Sequence, residues 1–186
     1  MRIVLASQSP RRREILTNAG IQFKVRAPNV PEKRMAGEVA EDYVRRLAGE
    51  KAMAVECAED EIIVSADTVV VVDGTILEKP RDPSDAVNML QLLSGNRHQV
   101  LTGICVRDAI KLKLDVASTW VDFAQLTAAE IDDYVRTGEP NDKAGGYAIQ
   151  GLASKFIDRI EGCYFNVVGL PIALVYRRLK ELGFAC

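Results

Sequence analysis

The run Ile62-Ile63-Val64-Ser65-Ala66-Asp67-Thr68-Val69-Val70-Val71-Val72, followed at once by Asp73-Gly74 and Thr75-Ile76-Leu77, constrains the fold more than any other stretch. β-Branched side chains pack well on a pleated surface and lose rotamer freedom in a helix. Asp-Gly between two apolar runs is the signature of a two-residue hairpin. The chain therefore predicts a buried strand over 62–72 that turns back into 75–77. Asp67 breaks the apolar pattern. A carboxylate inside such a run is costly unless a cation, a metal or protonation compensates it. Asp67 is thus a candidate functional group, which either binds a divalent ion directly or takes a proton from an attacking water.

Other elements follow from caps and periodicity. Residues 2–6 read as a short buried strand, and Ser9-Pro10 as an N-cap with proline at the first helical position, opening a helix to about Asn18 that Gly20 ends. A second strand fits 22–26, and 27–37 is a Pro-containing loop. Ala40, Val44, Leu47, Ala48 and Val55 recur at helical spacing, predicting an amphipathic helix from Glu38 to about Ala58. Asp82-Pro83 starts a further helix closing near Gly95. Strands are expected over 98–107 and 112–123, with Thr119, Val121 and Phe123 alternating with Trp120 and Asp122. Thr127-Ala128-Ala129-Glu130 is a capping box. Residues 139–151 read as a polar, Gly-rich loop, 156–160 as a strand, and Pro171 heads a last helix to Leu182. Hairpins mixed with helices predict an α/β fold on a mixed sheet flanked by helices.

With 186 residues, 48% of them hydrophobic, the chain can bury one substantial core, and a single domain over 1–186 is expected. It contains no apolar run of about 18 residues, and Met1 to Ala6 is too short for a signal-peptide core, so a soluble protein of the cytoplasm is expected. A net charge of −2 argues against general nucleic-acid binding, and any phosphate binding must come from a local cluster of cations. Cys57, Cys105, Cys163 and Cys186 lie far apart and accompany a single histidine, which predicts free thiols rather than a zinc site or disulfides.

Four stretches carry candidate chemistry. Ser7-Gln8-Ser9-Pro10-Arg11-Arg12-Arg13 joins a strand end to a helix start and three cations, which suits a phosphate chain as well as an ordinary capped helix. Asp67 is the second. Two lysines form the third: Lys51 falls in the apolar stripe of its helix, either snorkelling or reaching a site edge. Lys79, counted back from the Asp73-Gly74 turn, faces Thr68 across the hairpin, one step from Asp67. The fourth is 141–151, where glycines let the backbone approach a ligand beside Asp142, Lys143 and Gln150, or simply make a turn. His98 reads as a strand-edge imidazole and Trp120 as a core aromatic, neither with a catalytic part.

Together these segments resemble the Maf family of nucleotide pyrophosphatases. The likeness rests on Leu5-Ala6-Ser7-Gln8-Ser9-Pro10-Arg11-Arg12, the residues around Lys51, Ser65-Ala66-Asp67-Thr68-Val69-Val70, Asp73-Gly74 with Lys79-Pro80, Asp142-Lys143-Ala144-Gly145, Ile149-Gln150-Gly151 and Asn166-Val167-Val168-Gly169-Leu170-Pro171. The resemblance implies a twisted mixed sheet related to the inosine-triphosphate pyrophosphatases, with a cleft between two lobes, commonly in a homodimer. It implies hydrolysis of a nucleoside triphosphate to monophosphate and pyrophosphate, Asp67 as proton acceptor, and Mg²⁺ or Mn²⁺ as cofactor. It places Ser7, Arg11, Arg12, Lys51, Lys79, Thr68 and Gln150 around the substrate, and Glu32 with Asp67 as metal ligands. The branch resembling a 7-methyl-GTP pyrophosphatase has Trp, Gln and Glu where this chain has Arg11, Thr68 and Gln150, so that trio looks like the dTTP/UTP branch. Relatives often have Asp-Glu where this chain has Pro31-Glu32, Gly146 and Ala148 replace the usual Ala and Gly, and Cys163 stands where Ser is frequent. The rival expectations are a pyrophosphatase for modified or purine triphosphates, and a nucleotide-binding regulator of cell division that does not cleave.

Overall fold

The computed structural model describes residues 1–185; Cys186, one of the four thiols read from the sequence, lies outside the described residues. The chain runs through strands β1 (Arg2–Leu5), β2 (Phe23–Val25), β3 (Glu61–Val72), β4 (Thr75–Leu77), β5 (Arg97–Arg107), β6 (Leu112–Phe123) and β7 (Ile157–Glu161). The helices are α1 (Pro10–Asn18), α2 (Ala40–Met53), α3 (Pro83–Leu93), α4 (Ala128–Arg136), α5 (Tyr164–Val168) and α6 (Ile172–Glu181). Short 3-10 turns occupy Glu139–Asp142, Ala144–Gly146 and Leu152–Phe156. The described strands form a seven-stranded sheet in the order β2-β1-β3-β5-β6-β7, with β4 paired to β3. β1 lies parallel to β2 and β3, while β4 and β7 pair antiparallel with β3 and β6. This is the mixed α/β sheet that the order of elements predicts.

Two compact units divide the chain. The first comprises Met1–Asp67, Thr102–Ala117 and the stretch from Gly169 onward; the second comprises Thr68–Leu101 and Ser118–Val168. Strands β3, β5 and β6 each begin in one unit and end in the other. In the first unit Val4, Ala6, Ala48, Ala52, Ile63 and Cys105 pack α2 onto the sheet. The fit is tight at Gly103, where an added Cβ would overlap the backbone carbonyl of Val44. The second unit has its own core, with Leu90, Val121, Phe123, Tyr134 and Phe156 among its members.

The predicted caps form as written. Ser9 accepts from the Arg12 backbone N–H, Asp82 from that of Asp85, and Thr127 and Glu130 close both halves of a capping box. The hairpin register pairs Val72 with Thr75 and Val70 with Leu77, across Asp73 and Gly74, which both hold positive φ.

Several expectations need correction. Helix α2 is shorter than 38–58. At its start the Glu38 side chain is drawn off to Arg46 and to the Met35 N–H, leaving Val39 extended. At its end Arg107 donates to the Ala52 and Val55 carbonyls, satisfying groups a longer helix would have paired internally. Strand β4 stops at Leu77, because the Glu78 carbonyl accepts from Gly145 N–H and Pro80 follows; Lys79 is therefore past the end of the ladder. The stretch 139–151 carries two 3-10 turns, Glu139–Asp142 and Ala144–Gly146, and is buried from Gly145 to Ile149 rather than a solvated loop. His98 is fully buried and Trp120 is 40% exposed, the reverse of their predicted places. The alternation along β6 that buries Thr119, Val121 and Phe123 turns Trp120 outward, where the Arg97 guanidinium lies 5.1 Å from its ring. Finally, 152–156 and α5 form helical turns that no apolar period announced.

Candidate active site

The apolar stripe of α2 packs on β3, and this brings Lys51 to Asp67. Both residues are 7% exposed. The Lys51 ammonium donates to Asp67 Oδ1 at 2.6 Å and lies 2.6 Å from Glu32 Oε1, so one cation is shared by two carboxylates. The lysine does not merely snorkel to solvent. Ser65, two residues before Asp67 on the same face of β3, donates its hydroxyl to the Ala48 carbonyl at 2.5 Å and fixes the strand to the helix one turn before Lys51. Burial is the largest influence on Asp67 and raises its carboxyl above the usual range; the Lys51 ammonium and the Arg12 charge pull it back, and Glu32 pushes it up. A carboxylate with a raised pKa is a better proton acceptor than a solvated one.

The start of α1 supplies the second half of the site in this unit. Ser7 is buried, and its hydroxyl oxygen accepts from the Ser9 N–H and from Arg12. The Arg12 guanidinium also donates to the Ala66 carbonyl at 2.7 Å and to the Gly169 carbonyl at 2.8 Å. It therefore ties β3, α1 and the start of the C-terminal segment together. Burial lowers its pKa, with Asp67 and Glu32 opposing that shift and Arg11 adding to it. Arg12 thus stands in the field of all three predicted neighbours. Arg11 is half-buried beside it.

The remaining predicted residues, Thr68, Lys79 and Gln150, belong to the second unit. Thr68 is half-buried, whereas Lys79 and Gln150 are exposed. Lys79 lines a cavity of about 270 Å³ with Ile76, Arg81, Asn88 and Leu92. Lys143 is occupied locally, donating to the Glu139 carbonyl and to Asp142. Gln150 sits beside a braced turn: Glu139 accepts from the Tyr134 hydroxyl and the Leu152 N–H, and an added Cβ at Gly151 would strike its carboxylate. Among the described residues no group of three or more His, Cys, Asp or Glu is arranged as a ready ion cage. Cys57, Cys105 and Cys163 are free thiols, as expected, and no described helix is long and apolar enough to cross a membrane.

Comparison with known proteins decides the family. The family model described as "Maf-like protein" matches residues 2–182. The chain belongs to the Maf family. Its Maf relatives include a dTTP/UTP pyrophosphatase of Anaeromyxobacter dehalogenans (strain 2CP-C), 52% identical over 98% of this chain and 95% of that protein. Another dTTP/UTP pyrophosphatase, from Koribacter versatilis (strain Ellin345), is 47% identical over the same shares of the two chains. Among solved structures, the Ham1 protein of Staphylococcus aureus is similar in fold, with a TM-score of 0.53 at 13% identity, covering 98% of this chain and 100% of that one.

Sequence reasoning missed the residues that brace the site. Arg46, which grips the loop carrying Glu32, gave no signal in the sequence, and the partner of Ser65 is reached only through the fold. The one legible hint was Ser65 itself, a hydroxyl in an apolar strand on the same face as Asp67.

Proposed function

We propose that this Maf-family chain hydrolyses a pyrimidine nucleoside triphosphate, dTTP or UTP, to the monophosphate and pyrophosphate. The observation that carries this reading is the buried Asp67 carboxylate held by the Lys51 ammonium beside the Arg-rich start of α1. An anion-binding protein gains nothing from a buried carboxylate, whereas a hydrolase needs a base. The names of relatives at about half identity over nearly the full chain supply the substrate class.

In the proposed reaction Asp67 accepts a proton from a water molecule as the water oxygen bonds to the α-phosphorus. The bond from that phosphorus to the α–β bridging oxygen breaks, and its electron pair leaves with pyrophosphate. The Arg11 charge and the positive end of the α1 dipole suit the phosphate chain and the charge growing on the leaving group. Lys51 orients the Asp67 carboxylate. Mg²⁺ or Mn²⁺ fits this donor set. Asp67 and Glu32, which share the Lys51 ammonium, would supply hard carboxylate oxygens, and Mg²⁺ is commonly held by one or two carboxylates together with substrate phosphates. When bound it would neutralise phosphate charge and polarise the phosphoryl oxygens.

Pyrophosphate release from dTTP with Mg²⁺ present tests the reading. Wild-type protein should release it, and Asp67→Asn should be slower by about a hundredfold or more while remaining folded. Absence of release from the wild type, or an equal rate in the variant, overturns it.

A further inference from the structure

Glu32 sits on a stretch with little to hold it. Between β2 and α2 no residue from 27 to 40 is buried, and its larger apolar side chains face outward, Met35 at 57% and Val39 at 60% exposed. Such a segment has little apolar contact to fix it, and ordering each of its residues costs conformational entropy. Yet Glu32 meets the Lys51 ammonium at 2.6 Å.

The tether is polar and comes from α2 itself. The Arg46 guanidinium grips both oxygens of Glu38, Nε to Oε1 at 2.6 Å and Nη2 to Oε2 at 2.8 Å. The same Nη2 donates to the Lys33 carbonyl at 3.0 Å, on the residue next to Glu32, and Nη1 is steadied by Glu50 within the helix. Glu38 in turn accepts from the Met35 N–H, closing the loop on itself. A bidentate fork imposes direction as well as attraction, and here the arginine and Lys51 lie on one rigid helix.

We propose that Arg46 is the positioning residue that presents Glu32 to Lys51 and Asp67, acting through the loop rather than on the substrate. This rests on the pyrophosphatase reading of the site. Without the fork the loop samples many conformations, and Glu32 reaches the Lys51–Asp67 pair only part of the time.

The test is a double-mutant cycle on kcat/KM for dTTP with Mg²⁺, using Arg46→Ala, Glu32→Gln and the pair together. Arg46→Ala should lower kcat/KM by roughly tenfold, and the double variant should be no worse than Glu32→Gln alone. Glu38→Gln, which weakens the fork from the loop side and leaves α2 intact, should reproduce the Arg46→Ala loss if that variant folds poorly. Amide hydrogen exchange should rise over 27–39 in either variant and stay unchanged in β3. Additive losses, or an Arg46→Ala enzyme as fast as wild type, overturn the proposal. A Glu32→Gln enzyme of full activity has a separate signature: it removes the role given to Glu32, and the positioning proposal falls with it.

Discussion

Two places in the molecule bury titratable side chains, and they do so in opposite ways. In the first unit Asp67 is enclosed against a charge, with the Lys51 ammonium between it and a second carboxyl group. In the second unit His98 is enclosed as a neutral ring, its Nε2 2.7 Å from the Tyr147 hydroxyl and its edge against Phe123 and Tyr147 at 5.1 and 5.4 Å. Burial raises the Asp67 pKa and lowers that of His98 to about 4. The acid has a raised folded pKa, so its contribution to stability is present below its unfolded value and is lost as the pH rises through the folded one. The base has a depressed folded pKa, so its contribution is complete above about 6.5 and is lost as the pH falls towards 4. The first arrangement sets reactivity against stability. The second serves stability and packing.

The contrast can be broken most directly at Lys51. Lys51→Met leaves Asp67 buried without its cation, which should cost about 3–5 kcal/mol in denaturant unfolding at pH 7 and abolish most pyrophosphate release. A loss below about 1 kcal/mol, the range of exposed pairs, would mean that the pair contributes no more than a surface one. His98 sharpens the other side. Between pH 7 and 5 the imidazole should remove about 2 kcal/mol of stability, given its folded pKa of about 4. In His98→Gln that part of the slope should vanish, whatever the variant's absolute stability; an unchanged slope would show that His98 titrates normally. The smallest effect is expected outside both clusters. Trp120→Ser removes a ring that is 40% exposed and its Arg97 contact, so the change should be about 1 kcal/mol or less. A cost in the range of about 3–5 kcal/mol would restore Trp120 to the core.

Much of the fold was legible because it is written locally. Ser9-Pro10, Asp82-Pro83 and Thr127 with Glu130 mark helix starts by chemistry that acts over three residues, and Asp73-Gly74 fixes a hairpin by backbone conformation alone. Asp67 was legible as a conflict between a charge and its apolar neighbours. What escaped depends on partners distant in sequence. The stretch 139–151 looks polar, yet Gly145 holds positive φ and lies so close to Val70 that a Cβ there would be 2.8 Å from Val70 Cγ2. The buried place of His98 is set by Tyr147 and Phe123, neither near it in the chain. Arg12 reads as a cation suited to phosphate, and its contacts with Ala66, Gly169 and Ser7 are a feature the sequence does not display. A guanidinium's destination cannot be read from its neighbours in sequence.

The sharing of one ammonium between Asp67 and Glu32 bears on how a polyanion would be received. Counting basic residues in the matched motifs suggests an attractive surplus. Within this unit, however, Lys51 is already matched by two carboxylates, and Arg11 and Arg12 leave only one net positive charge in the group. A triphosphate arriving bare would meet near electrical balance rather than a sink, so its own counter-ions become part of what is recognised.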